Sequence, residues 1–148
     1  MKASFLVLAV LMTAALLTSS GGAPSVTYVG HEAVGAALAS KIHGTSLVKA
    51  SDLIVMGAHR AENGQVELHD KETDVFYIVD GDATFVTGGK MVGGKLTSPG
   101  QWVGTDIQGG QARRLTKGDV IVIPAGIPHW FKEVPHSVSY FVVKVLKQ

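Results

Sequence analysis

From about position 46 onward the chain runs in short apolar segments, each closed by Gly, Pro, Asp or Asn, and this punctuation leaves room for little but β-structure. Strands are expected at 46–49, 53–58, 66–69, 75–79, 83–87, 113–115, 120–123, 130–133 and 137–146. So many short strands within 148 residues argue for one all-β domain, a sandwich or a barrel. Ahead of them, Val34, Leu38 and Ile42 recur at helical spacing, with Glu32 in the first turn and Gly44 past the end, so one short amphipathic helix is expected over 32–42. The rhythm breaks at 88–110, where Gly-Gly occurs three times and apolar residues are sparse. That segment is expected to be a long connection over the barrel or a loose hairpin, with Trp102 either pinning it to the rim or reaching a substrate.

The N-terminus obeys a different logic. Lys2 precedes an unbroken apolar stretch from Phe5 to Met12 that continues through Leu16 and Leu17, and small residues follow from Ser19 to Ala23. A basic start, an apolar run of about a dozen residues and a small-residue exit read as a secretory signal over 1–23, cut after Ser20, Gly22 or Ala23, with an uncleaved anchor as the alternative. The run is shorter than the roughly 20 residues that span a bilayer. The expectation is a mature domain over 24–148, exported to the periplasm or secreted. The chain contains no cysteine, so disulfides, thiol chemistry and lipid attachment at a lipobox are excluded, and stability must come from the core and from any bound metal. Thirteen Lys and Arg are spread without a basic run, and the net charge is +1, which argues against nucleic acid as a partner.

Two segments carry the residues with chemistry. In the first, Glu67 and His69 lie at i and i+2 of an expected strand, so they share a face; Asp74 follows before Gly81. The same strand is equally compatible with Val66 and Leu68 inside and Glu67 and His69 in water. In the second, the apolar run 120–123 ends in Pro124-Ala125-Gly126-Ile127-Pro128, whose fixed φ angles direct His129. Gly81-Asp82 and Gly118-Asp119 bound apolar strands at matching places, so two similar hairpins are expected to deliver one histidine each. Two histidines and one or two carboxylates suffice for a first-row metal.

These residues resemble the cupin pattern, Gly-x5-His-x-His-x3-4-Glu-x6-Gly followed by Gly-x5-Pro-x-Gly-x2-His-x3-Asn. Gly118, Pro124, Gly126 and His129 match the second motif at the proper spacings, with Glu133 in place of its Asn. In the first, His69 takes the second histidine, Asp74 the glutamate, Glu67 stands where the first histidine belongs, and Gly64 is the nearest to a displaced opening glycine. The resemblance implies a cupin-type jelly-roll β-barrel with a divalent metal on Glu67, His69, Asp74 and His129, acting as a small metal-dependent enzyme on a soluble small molecule. A non-catalytic module binding a sugar, acid or other small molecule is the alternative, and a barrel without ligand a third.

With Glu67 in place of histidine, the ligands would carry a charge of about −2, suited to Fe²⁺, Mn²⁺ or Zn²⁺. Asp74 is shorter than Glu and is expected to be the weakest ligand, reaching the metal through water and leaving Glu67, His69 and His129 as a facial triad. Phe76 and Ile78, in phase with Asp74, and Phe131, in phase with His129, should line the cavity. His59 and Arg60 are the candidates for a catalytic base and an anion clamp, or else plain rim residues. His31, His43 and His136 lie outside the motifs and are expected at the surface. The long apolar strand 137–146 is expected to offer an edge for a homodimer.

Overall fold

The computed structural model describes residues 25–41 and 44–147, so the expected signal segment lies outside the described residues. Helix α1 covers His31–Ala39, ending three residues short of the expected bound because Ser40 turns to extended backbone; Ile42 lies outside the described residues. The helix buries Ala37 on strand β2 (Leu53–Arg60) through Gly57, where an added Cβ would come within 2.9 Å of the Ala37 Cβ. No helix among the described residues is long and apolar enough to cross a membrane.

The remaining chain is strand: β1 (Thr45–Lys49), β3 (Val66–His69), β4 (Glu72–Thr87), β5 (Lys90–Val92), β6 (Lys95–Ser98), β7 (Gln101–Gly104), β8 (Asp106–Gln108), β9 (Gln111–Thr116), β10 (Val120–Ile123), β11 (His129–Glu133) and β12 (Val138–Leu146). All pair antiparallel. One face is built from β1, β2, β12, the first half of β4 and β10; the other from β9, the second half of β4, β11, β3, β7 and β6. This is a jelly roll, as expected.

The two expected strands 75–79 and 83–87 are in fact one. Gly81 bends β4 between the faces instead of ending it, at φ 75°, and an added Cβ would lie 2.0 Å from the Ser137 carbonyl oxygen. The bend shifts the phase of burial, from Asp74, Phe76 and Ile78 before it to Ala83 and Phe85 after it. Such a one-residue slip is what a bulge does, and the β12 register shifts opposite this point. Gly118, by contrast, does sit in a turn, between β9 and β10, so the two glycines are not equivalent hairpins.

The core lies between the faces and includes Phe76, Ile78, Phe85, Phe131, Val138 and Tyr140. A smaller cluster of Val66, Val86 and Ile107 lies outside the second face, covered by the β5–β8 ribbon, with β6 and β7 extending the sheet. Segment 88–110 is therefore four short strands. Trp102 donates to the Asp70 carboxylate at 3.2 Å and holds this excursion to the rim. Strand β12 pairs along its length with β2 on one side and β4 on the other. The homodimer contact expected through this strand thus has no free edge, because a strand apolar on both faces belongs in the middle of a sheet.

Candidate metal centre

The inward face of β3 carries Glu67 and His69, because the β5–β8 ribbon buries Val66 on the opposite side. This settles the phase that the strand's own alternation left open. His129 opens β11 directly opposite Glu67. The turn before it is held to β3 by a hydrogen bond from the Gly126 amide to the His69 carbonyl, 2.8 Å, with Gly126 at φ 82°. The turn chemistry therefore acts twice, aiming His129 and anchoring the strand end that carries His69.

Asp74 projects from the first half of β4 into the same space. Its Oδ2 lies 3.4 Å from His69 Nε2 and 3.6 Å from His129 Nε2, while Glu67 Oε2 lies 3.8 Å and 3.9 Å from the same two atoms. Ligand atoms of Glu67, His69 and His129 lie within 4.8 Å of one another, as do those of His69, Glu72 and Asp74, so two overlapping sets of three could each hold a cation. Asp74, short as it is, stands close to both histidines. Asp74 is 1 % exposed and the nearer carboxylate, whereas the Glu67 side chain is 43 % exposed and lies at the mouth.

The nitrogens are poised for it. His129 Nδ1 meets the Ile127 carbonyl at 3.2 Å, which places the proton on Nδ1 and turns the Nε2 lone pair toward the carboxylates. His129 Nε2 and both ring nitrogens of His69 are buried without a hydrogen-bond partner, a costly condition that a cation would relieve. Burial pushes the His129 pKa down, keeping the ring neutral. Burial also opposes protonation of His69, yet the facing Asp74 carboxylate, aided by Glu72, more than offsets it and raises its pKa. For Asp74, burial favours the acid form, but His69 and the Lys144 ammonium outweigh it and hold the carboxyl below its ordinary range.

Lys144 escaped the sequence reading. It rises from β12 opposite Asp74, with Nζ 3.0 Å and 3.1 Å from the two Asp74 oxygens and 2.9 Å from Glu72 Oε2. Glu72 in turn accepts from Gln101 at 2.6 Å. The signal was a lysine in phase with Tyr140 and Val142, on the buried side of an apolar strand. Three carboxylates less one ammonium leave the site near −2, the balance expected from the four ligands alone.

A cavity of about 120 Å³ opens beside this group, lined by Phe76, Phe131, Tyr140 and Arg60 together with Glu67, Asp74, His129 and Lys144; Ile78 belongs to the core behind it. Arg60 lies over the Phe131 ring at 5.3 Å. His59 points elsewhere: its Nδ1 pairs with Ser139 Oγ at 2.9 Å, and it borders a different depression with Lys41 and Glu62. His31 and His136 are exposed, and His43 lies outside the described residues. Glu133 accepts from Thr84 at the surface.

The cupin family model matches residues 40–147, nearly the whole described chain. The chain belongs to the cupin family. Among solved structures, this cupin is similar to a Bacillus halodurans protein at 12% identity, TM-score 0.60, covering 86% of each chain. It is also similar to a conserved Klebsiella pneumoniae protein with a double-stranded β-helix domain, at 14% identity, TM-score 0.53, covering 83% of this chain and 91% of that one. A third, the Fe(II) form of HppE, shares 13% identity at TM-score 0.52 over 68% of this chain and 49% of its own. These are likenesses of fold. No curated protein matches the chain.

Proposed function

We propose that this cupin binds a divalent first-row metal through His69, His129, Asp74 and Glu67 and acts as a small metal-dependent enzyme on a soluble small molecule. One observation carries the reading: two buried imidazole nitrogens without hydrogen-bond partners face two carboxylates at 3.4 to 3.9 Å. The mixed nitrogen and oxygen set suits Fe²⁺, Mn²⁺ or Zn²⁺. Such an ion supplies Lewis-acid polarisation, an activated water or oxygen chemistry, according to its identity. The protein's part is legible from its side chains. Phe76 and Phe131 exclude water, Glu67 at the mouth can exchange between the ion and solvent, and Lys144 fixes Asp74. Export through the segment 1–23 belongs to the same proposal, and N-terminal sequencing of the mature protein tests it.

One observation favours a second reading, a non-catalytic binding module. The Lys144 ammonium already bonds Asp74 and Glu72, so these two carboxylates have a cationic partner without a metal. Metal analysis of the purified protein separates the two. Wild type should carry near-stoichiometric metal, and Glu67→Ala, His69→Ala and His129→Ala should lose it. A metal-free wild type whose melting temperature does not rise with Mn²⁺, Fe²⁺ or Zn²⁺ would leave the binding module.

A further inference from the structure

Within the cavity, Arg60 is the cation that lacks a counter-charge. Lys144 is engaged by two carboxylates, but among the described residues no carboxylate pairs with Arg60, and its Nε is buried without a hydrogen-bond partner. The guanidinium stacks over Phe131 and packs against Gly64, where an added Cβ would meet Nη1 at 3.2 Å. Arginine does not deprotonate in proteins, so the fold holds a partly desolvated positive charge with no carboxylate bonded to it, in a cavity that Glu67 and Asp74 also line. A half-buried charge of this kind is stabilised by an anion that enters from outside.

The surroundings say what kind. Arg60 lies beside the Tyr140 hydroxyl, which it draws down in pKa against the larger effect of burial. Phe131 and Tyr140 stack at 4.9 Å, so the wall next to the guanidinium is aromatic and flat. Phe131, under the guanidinium, and His129 share a face of β11 two residues apart, with their Cα atoms about 7 Å apart along the strand. A cavity of about 150 Å³ holds benzene, so about 120 Å³ admits a molecule of five or six heavy atoms.

We propose that the cavity binds a small organic carboxylate, its carboxylate on the Arg60 guanidinium beside the Tyr140 hydroxyl and its other end toward His69 and His129. The carboxylate anchor stands on Arg60 alone; the orientation of the far end rests on the metal reading above. A planar carboxylate matches the guanidinium fork, and the narrow aromatic wall disfavours a bulkier tetrahedral oxyanion.

The test is calorimetric titration of propionate, propionamide and inorganic phosphate into the full protein, both EDTA-treated and Mn²⁺-loaded. Propionate should bind both forms, with propionamide and phosphate at least about tenfold weaker, since charge and fork geometry are what the arginine reads. Arg60→Gln should weaken propionate by at least about tenfold, and Arg60→Lys, which keeps the charge and guards against a folding defect, by less. Equal propionate affinity in Arg60→Gln and wild type overturns the proposal, as does phosphate binding more tightly than propionate. Propionate binding that needs Mn²⁺ and ignores Arg60→Gln also overturns it while leaving the metal reading intact. Binding that depends on Arg60 in a protein that takes up no metal supports it and removes the metal reading.

Discussion

Lys144 Nζ lies 3.0 Å from Asp74 Oδ1, so the most deeply buried carboxylate of the site is held by an ammonium from a strand 70 residues away in sequence. Both side chains are largely withdrawn from water, at 17 % and 2 % exposure. The pair supplies one positive charge to a cluster of three carboxylates, and it makes Lys144 a competitor for any metal that Asp74 would bind.

Lys144→Met keeps the stem's volume and removes the charge. Leaving Asp74 unpaired should destabilise the metal-free protein by about 3 kcal/mol, the scale of breaking one partner of a buried pair. Divalent metal should then restore more stability than it adds to wild type. Melting curves with EDTA and with Mn²⁺ for both proteins check this, and an unchanged metal-free melting temperature would deny the pair its role.

Asp74→Asn and Glu67→Gln separate the two carboxylates. Asp74 is nearer to both histidines and buried, so its loss should lower metal affinity beyond the roughly 10- to 100-fold typical of outer partners. Loss of the half-exposed Glu67 should cost less. Competitive titration with a chromophoric chelator gives the order, and a larger defect in Glu67→Gln would reverse it.

Metal binding should release protons, and the sign follows from His69. Its pKa is raised above 6.5 because the Asp74 and Glu72 carboxylates outweigh burial. In the metal-free protein this contributes stability that is full below 6.5 and is lost as pH rises through the folded value. A ligating His69 must be neutral, so affinity should climb about tenfold per pH unit up to that folded value. The neutral His129 adds nothing near pH 7. The gap in melting temperature between Mn²⁺-loaded and EDTA-treated protein should therefore widen from pH 6 to 8; a constant gap would exclude His69 as the proton source.

Gly81→Ala tests the bend that carries β4 between the two faces. The residue needs φ near 75°, and its Cβ would lie 2.0 Å from the Ser137 carbonyl oxygen. Strain and clash together should cost more than about 3 kcal/mol. Urea unfolding of the variant measures it, and a loss below about 1 kcal/mol would mean that β12 yields easily at this point.

Much of this site can be read along the chain because its signals are local. The Gly118 to His129 spacing, the prolines of the intervening turn and the i, i+2 placement of Glu67 and His69 need no distant partner to be interpreted. The misreadings share one cause. Gly81 between Asp80 and Asp82 looks like a chain reversal, and only the Ser137 carbonyl packed against it shows a bend within one strand. Strand β12 looks like a free edge until its pairing with β2 and β4 is known.

By itself the sequence determined the strand content, the turn that aims His129 and the family to which these belong, since period-two alternation and Pro-Gly turn chemistry act over a few residues. The tertiary structure decided which carboxylate stands closest to the histidines, that Lys144 holds it, and that Arg60 faces the cavity while His59 does not. Those outcomes depend on register between strands distant in sequence, Lys144 opposite Asp74 and Arg60 opposite Val138, and register is set by how whole faces pack.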